Sequence, residues 1–391
     1  MKKILTKAPF TGAIDVLMRR VIVSYLFLCS WLVARSRKPF IIGVTGSAGK
    51  STTVAVIAAV LKHEGARSVV GKMACTLHNM NCDRGLPLTI LRYDSWPKST
   101  NFARLKLYML LPLRSLKLAT IGSYPDVLVI EYGAGHGGHL KWLAYLAPPD
   151  IAVVTTIGPA HLERMKTIDG VAREKGALVQ AVPPKGLVIL GQDHDYVALL
   201  EARARAPVVK LPGRGIELSV RIARTVARRL QIPEETVEAA LASFEPLQGR
   251  LKPWRLDYFT LLDDSYNANP LSMKLGLEAL GEMAATGKRR LAILGDMAEL
   301  GDEAPRFHRE IGVLAKRHAD VLIGVGELAR HYGPHQWYPT SRACAEDIER
   351  LLETGDHVLV KGSRAVHMVH IVRKLKKIGK EGIGNPRATV E

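Results

Sequence analysis

The sequence predicts an α/β protein with two principal domains: a central P-loop domain around a mostly parallel sheet, and a Rossmann-like C-terminal α/β domain. Three observations support this. Apolar, β-branched runs alternate with helical stretches, first at Phe40–Val44, Val127–Ile130, Ile151–Thr156 and Leu187–Leu190. Strands buried on both faces read as continuous apolar runs, and these do. A second series follows at Phe259–Leu262, Leu291–Leu294, Val321–Val325 and His357–Val360. Between the two series, Pro and Gly interrupt the pattern across Phe244–Pro253, which marks a boundary. The first run also feeds directly into a glycine-rich turn. With 391 residues the chain exceeds one ordinary core. The expected organisation is a basic, apolar arm over 1–39, a central domain over 40–247, a C-terminal domain over 250–378 and a tail over 379–391.

Each part has its own sequence signal. The arm contains Val21–Ala34, fourteen uncharged residues bracketed by Arg19-Arg20 and by Arg35, Arg37 and Lys38. A spanning helix needs roughly 20 apolar residues, so this run is short. It carries no small-residue cleavage site and passes straight into a strand, unlike a signal peptide. Two readings stay open: an interfacial helix with arginines at lipid headgroups, or a helix packed on the neighbouring domain. The tail after Lys380 offers little to pack.

Composition narrows the function. The chain is 47% hydrophobic and 24% charged, as folded proteins are. Cys29, Cys75, Cys82 and Cys344 form no C-x-x-C pair, which argues against a disulfide framework or zinc site and suits a reducing cytoplasm. The net charge of +18 is localised. Residues 1–40 hold eight basic residues and only Asp15; residues 95–125 hold five basic and no acidic residues. From Arg373 onward there are six basic and two acidic residues. Such segments point to an anionic partner surface, a membrane or a polyanion. Nucleic acid is not expected as a partner: no reading motif occurs, aromatic content is 6%, and the basic segments are apolar.

The chemistry concentrates in Gly46-Ser47-Ala48-Gly49-Lys50-Ser51-Thr52, a compact phosphate loop between a predicted strand and a predicted helix. Glycines let the backbone wrap phosphates, and free N–H groups at the helix start face the anion. Lys50 neutralises phosphate charge and Ser51 offers a hydroxyl to Mg²⁺. The central domain is thus expected to be a P-loop ATPase domain. Glu131 closes the run Val127–Ile130, at the end of a parallel strand where such sheets bind ligands. His161 follows Ile151–Thr156, and Lys175 lies in the helical stretch Ile168–Gln180.

These blocks, in this order, resemble the Mur ligase superfamily of ATP-dependent amide ligases. The resemblance runs from Ile41 to Val372 through TGSAGKST (45–52), TLHNMNCDRGLPLTIL (76–91), EYGAG (131–135) and TTIGPAHLE (155–163). It continues through GVAREKGAL (170–178), QGR (248–250), DDSYNANP (263–270), LGDMAELGDEAPRFHREIG (294–312) and VKGSRAVHM (360–368). It is strongest to the branch that adds D-alanyl-D-alanine to a UDP-muramoyl tripeptide.

The resemblance implies ATP, two Mg²⁺ ions and a carbamylated Lys175, whose carbamate binds metal together with His161. Ser51 and Glu131 would belong to the metal and phosphate site. Asp264 would meet the nucleotide ribose, with Tyr266, Asn267 and Asn269 nearby and Arg250 at the nucleotide end. Thr76, Asn79 and Asn81 would lie towards the carboxylate substrate, and Lys361, Ser363 and Arg364 would face the reaction centre. His308 lies in a matching block with its role open. The implied activity joins a carboxylate to an amine, an amino acid or dipeptide, through an acyl phosphate. A cytoplasmic enzyme, peripheral at the inner membrane face, is the corresponding expectation.

Three departures bear on the substrate. Only about 40 residues precede the phosphate loop, where the superfamily carries a UDP-binding domain of ordinary small-domain size. A basic, apolar segment over 93–124 interrupts the match and resembles the arm in character. Ile216 and Ser219 stand where relatives have asparagines near the adenine. A ligase for a specialised metabolite or peptide polymer, or an ATP-binding subunit of an amidotransferase, are the alternatives.

Overall fold

The computed structural model describes residues 13–76, 80–93, 101–283 and 287–381. The central sheet has six parallel strands: β1 (Phe40–Thr45), β2 (Met73–Cys75), β3 (Val127–Glu131), β4 (Ile151–Val154), β5 (Leu187–Gly191) and β6 (Val208–Leu211). Their order is β2-β3-β1-β4-β5-β6. A second sheet comprises β7 (Lys252–Arg255), β8 (Thr260–Asp264), β9 (Arg290–Gly295), β10 (Val321–Val325), β11 (Gln336–Tyr338) and β12 (His357–Lys361), ordered β11-β10-β9-β12-β8-β7. In it only β7 runs antiparallel, pairing with β8. All eight strands expected from the sequence are present. The four it missed, β2, β6, β7 and β11, are the four sheet edges.

The period-two alternation of strands divides each apolar run between two helical layers. Ile42, Val44, Val129, Val153 and Ile189 face one layer, with Val56 and Val60 of the helix Lys50–Lys62 and Ile222 of Gly215–Arg229. Ile41, Leu128, Ile130, Ala152 and Leu190 face the other, which includes Leu140 of His139–Leu146 and Val171 of Ile168–Ala181. Each fully buried aliphatic side chain contributes roughly 1.5–3 kcal/mol. That burial fixes the strand register on which the site depends.

Of the two readings of the arm, packing accounts for one helix face. The helix Ala13–Arg37 buries Leu26, Cys29 and Val33. It runs beside the helix Asn101–Thr120, with Tyr25 Oη donating to Tyr108 O at 2.7 Å and Arg37 Nη2 to Gly122 O at 2.6 Å. Among the described residues no helix is long and apolar enough to cross a membrane.

Candidate active site

Parallel register carries the phosphate loop and Glu131 to the same edge. Val44, two residues before Gly46, pairs with Glu131 across β1 and β3. Gly46 has φ 149°, and a Cβ there would lie 1.9 Å from Thr155 Oγ1, so only glycine fits against β4's exit. Gly49 caps the helix Lys50–Lys62 in the left-handed region, φ 81°. The loop is braced from below: Ser47 N donates to Thr156 O at 2.8 Å, and Ser47 Oγ donates to Gly158 O at 3.0 Å.

A cleft of about 280 Å³ opens over this loop, lined by Ser47–Ser51, Asn81, Glu131, His161, Arg250 and residues 266–269. Inside it, Ser51 Oγ donates to Glu131 Oε2 at 2.8 Å and accepts from Arg250 Nη2 at 3.0 Å. Asn81 Nδ2 donates to the other carboxylate oxygen, Glu131 Oε1, at 2.8 Å. The Arg250 guanidinium lies over the Tyr266 ring, 4.0 Å from its centroid. Asn269 Nδ2 donates to Ser47 O at 2.9 Å, tying the second sheet's domain to the phosphate loop. Lys50 Nζ donates to Gly46 O at 2.7 Å. Burial lowers the pKa of Lys50, partly opposed by Glu131.

Lys175 sits behind this wall, fully buried, and its amine has no hydrogen-bond partner among the described residues. Burial first, and then repulsion from Lys50, hold its pKa well below the ordinary lysine value; Glu174 and Glu131 pull the other way. The charges that act on it are therefore the phosphate-loop lysine, Glu174 and, more weakly, the cleft carboxylate. Glu174, its neighbour, is engaged at the start of the helix His139–Leu146, accepting from Gly138 N and Leu140 N, each at 2.6 Å.

Thr52, Thr76, Asp264, Lys361, Ser363 and Arg364, also expected at the site, are not among the residues that line the cleft. Thr76 Oγ1 accepts from Glu131 N at 3.0 Å and so supports the strand end. Thr52 lies in the helix Lys50–Lys62. Asp264 and Lys361 form a buried ion pair at 2.6 Å, and Leu251 N also donates to Asp264 at 3.1 Å. Ser363 Oγ accepts from Ala298 N at 2.7 Å, while Arg364 is exposed. Asn79 lies outside the described residues. His308 is buried, with Nε2 accepting from Met297 N at 3.0 Å and Nδ1 donating to Ala304 O at 2.6 Å. Both ring nitrogens are thus committed to backbone.

Sequence reasoning missed Glu299, whose carboxylate holds His161 Nδ1 across the two domains. The hydrogen bond from His161 lowers the pKa of Glu299. Both residues take left-handed backbone, φ 56° and 63°, which no sequence periodicity announces. Cys82, Arg164 and Ser272 also line the cleft unforeseen. A second pocket of about 120 Å³ adjoins it through Ala48 and Gly49, walled by Gly213, Gly215, Leu218, Leu271 and Leu275, with Thr53, Thr155, Thr156, Asp193, Arg214 and Lys274 as polar or charged groups. Ile216 is exposed outside that lining, and Ser219 Oγ is turned into the helix layer, 2.9 Å from Thr53 Oγ1.

The donor set suits a hard cation. Ser51 and Glu131 offer oxygens, as Mg²⁺ requires, and this ion keeps waters and substrate phosphates as its remaining ligands. Among the described residues no cluster of three or more His, Cys, Asp or Glu is assembled in advance. The unpartnered Lys175 amine, with a depressed pKa, is chemically suited to take up CO₂ as a carbamate, which would add oxygen donors.

Comparison with known proteins matches both domains of the chain. Residues 44–229 match the Mur ligase middle domain and residues 249–364 the Mur ligase glutamate ligase domain. The UDP-N-acetylmuramoyl-tripeptide–D-alanyl-D-alanine ligase of Escherichia coli K12 is 28% identical, over 90% of this chain and 80% of its own. The enzyme of the same name from Mycobacterium tuberculosis (strain CDC 1551 / Oshkosh) is 32% identical, over 83% of this chain and 70% of its own. MurF ligase from Thermotoga maritima in complex with ADP superposes with a TM-score of 0.71 at 21% identity, covering 89% of this chain and 83% of that one. Escherichia coli FolC in complex with ADP shares the fold at TM-score 0.62 and 18% identity, over 90% and 94% of the two chains. On these matches the chain belongs to the Mur ligase family.

Proposed function

We propose that this ligase joins a cell-wall-type carboxylate, presented at a membrane surface, to an amino acid or dipeptide amine, using ATP and an acyl phosphate. The observation that carries the reading is the convergence of Lys50, Ser51 and Glu131 on one cleft, with the unpaired Lys175 amine behind them. The carboxylate oxygen attacks the γ-phosphorus, the bond to the bridging oxygen breaks, and ADP leaves. The amine nitrogen then attacks the acyl carbon, phosphate departs with the C–O electron pair, and the amine gives up one proton.

In this scheme the phosphate loop's N–H groups and Lys50 bind the triphosphate and offset the repulsion between two anions. Arg250, stacked on Tyr266, holds the nucleotide end, and the pocket beside Ala48 and Gly49 takes the base. Ser51, Glu131, His161 and a carbamylated Lys175 would hold Mg²⁺. The ion supplies Lewis-acid screening of phosphate charge when bound. Asn81 orients Glu131 and marks the side on which the carboxylate enters. The buried Lys361–Asp264 pair ties the ends of β8 and β12 together. The domain contact between His161 and Glu299 brings the two halves together and excludes water from the acyl phosphate.

The direct test is phosphate release coupled to amide formation, with UDP-muramoyl tripeptide and D-alanyl-D-alanine compared against small acids and other amines. ATP-dependent product only with the muramoyl peptide supports the wall-type substrate. Turnover of small acids alone would move the enzyme outside wall chemistry, and absence of any amide product would remove the ligase reading.

A further inference from the structure

We propose that the outward faces of the helices Ala13–Arg37 and Asn101–Thr120 form one docking surface for an anionic lipid bilayer. The inference deepens the membrane-side part of the reading above, but its evidence is independent of the ligase chemistry. On the first helix, Val21, Leu28, Leu32 and Arg35 recur at helical spacing on a single stripe opposite the buried Leu26, Cys29 and Val33. Leu28 is 63% exposed. On the second, Met109, Leu113 and Leu116 project opposite the buried Leu107 and Leu111, with Met109 70% and Leu113 66% exposed. Just beyond it Ile121 is 84% exposed.

The two stripes belong to one face. Tyr25 bonds to Tyr108, and Arg37 to Gly122, so the helices run parallel and Leu28 and Leu32 stand level with residues 110–116. Both helices turn their opposite sides into the same core. The apolar stripes therefore lie side by side, an arrangement monomeric proteins rarely leave uncovered.

Charge selects the occupant. Exposed Arg20, Arg35, Lys106, Lys117 and Lys141 surround the stripes. No Asp or Glu occurs anywhere in residues 16–63 or 95–125. A second copy of the face would oppose this positive charge, whereas anionic headgroups complement it. Tyr145, stacked at 6.2 Å on Phe27 of the first helix, adds an exposed aromatic ring of the type found at bilayer interfaces. Neither helix is apolar enough to span, so insertion is shallow and the attachment peripheral.

The surface also bears on the site. The segment between them is held from both sides: Arg114 of the second helix donates to Leu91 O at 2.8 Å and Arg92 O at 2.6 Å, and the helix Gly85–Ile90 packs on the first. That segment begins at Met80 and Asn81, and Asn81 reaches Glu131. A docked platform thus borders the side of the cleft where the carboxylate enters.

The test is sedimentation of the full chain, without nucleotide, with vesicles of phosphatidylcholine alone or mixed with phosphatidylglycerol. Partition at least roughly tenfold higher onto the phosphatidylglycerol vesicles, weakened by salt, is expected. Leu28→Glu/Leu113→Glu should lower it roughly tenfold, and Lys106→Glu/Lys117→Glu provides a second variant that spares the apolar stripe. Equal sedimentation with both lipids, or no effect of either variant, overturns the proposal. So does light scattering that shows a dimer in solution which Leu28→Glu/Leu113→Glu dissociates, since a second copy would then cover the face. Because binding is read without ATP, its failure leaves the ligase reading standing.

Discussion

Ser51 Oγ lies 2.8 Å from Glu131 Oε2 although 80 residues separate them in the chain. The β1–β3 register brings them together, and Asn81 fixes the carboxylate's second oxygen at 2.8 Å. A metal held by Glu131 thus depends on a supporting amide. We expect Glu131→Gln to abolish most amide formation, and Asn81→Ala to raise the Mg²⁺ concentration for half-maximal rate by roughly 10–100-fold. With saturating Mg²⁺ the Asn81→Ala rate should recover in large part. An Mg²⁺ titration of each variant checks this; an unchanged half-saturation point in Asn81→Ala would show that the amide does not position the metal ligand.

Lys175 gives a prediction in two opposite directions. Its amine is buried without a partner among the described residues, and its folded pKa is depressed by burial and by Lys50. In the window between that lowered pKa and the ordinary lysine value the unfolded chain binds more protons, so stability rises with pH. A neutral isostere escapes the cost of burying the amine. Lys175→Met should therefore stabilise the fold by roughly 1–3 kcal/mol while eliminating activity. Lys175→Ala should regain part of its rate with added short carboxylic acids, which stand in for a carbamate. Full rate in Lys175→Ala without such acids would exclude the carbamate.

What the sequence made legible follows the same physics. Central strands such as β1, β4 and β9 are buried on both faces and appear as unbroken apolar runs. The edge strands are not: β7 is Lys-Pro-Trp-Arg, β11 has three residues, and β6 includes the exposed Lys210. The phosphate loop was readable because glycine, lysine and hydroxyl are adjacent in the chain. Glu299, by contrast, reaches His161 from the other domain through left-handed turns, and nothing local encodes that meeting. The inward turn of Asp264 towards Lys361 was hidden likewise, since it arises from pairing of β8 with β12.

That pair supports a stability prediction. Lys361 Nζ lies 2.6 Å from Asp264 Oδ2 and 3.0 Å from Asn267 O, with both side chains largely buried. Burial lowers the lysine pKa, and Asp264 opposes it. Removing one partner strands a buried charge, so Lys361→Met should cost about 3–5 kcal/mol in urea unfolding. The double variant Lys361→Met/Asp264→Leu should lose less than the sum of the two single changes. Additive losses in that cycle would mean the two side chains do not stabilise each other.

His308 lies in a block shared with the family, yet its geometry marks a structural residue. Burial pushes its pKa from 6.5 to about 4, with the bond to Ala304 O opposing. The folded protein therefore stays unprotonated at this ring until about pH 4, while the unfolded chain takes the proton near 6.5. Between those values the unfolded state binds more protons, so stability falls as pH falls. The contribution is complete above pH 6.5 and is lost towards pH 4, a change of about 3 kcal/mol at 1.36 kcal/mol per unit. His308→Gln should flatten this part of the pH–stability curve and cost roughly 1–3 kcal/mol at neutral pH. In the folded variant, KM and kcat should both stay near their original values. A large fall in kcat with unchanged unfolding would instead place His308 in the chemistry.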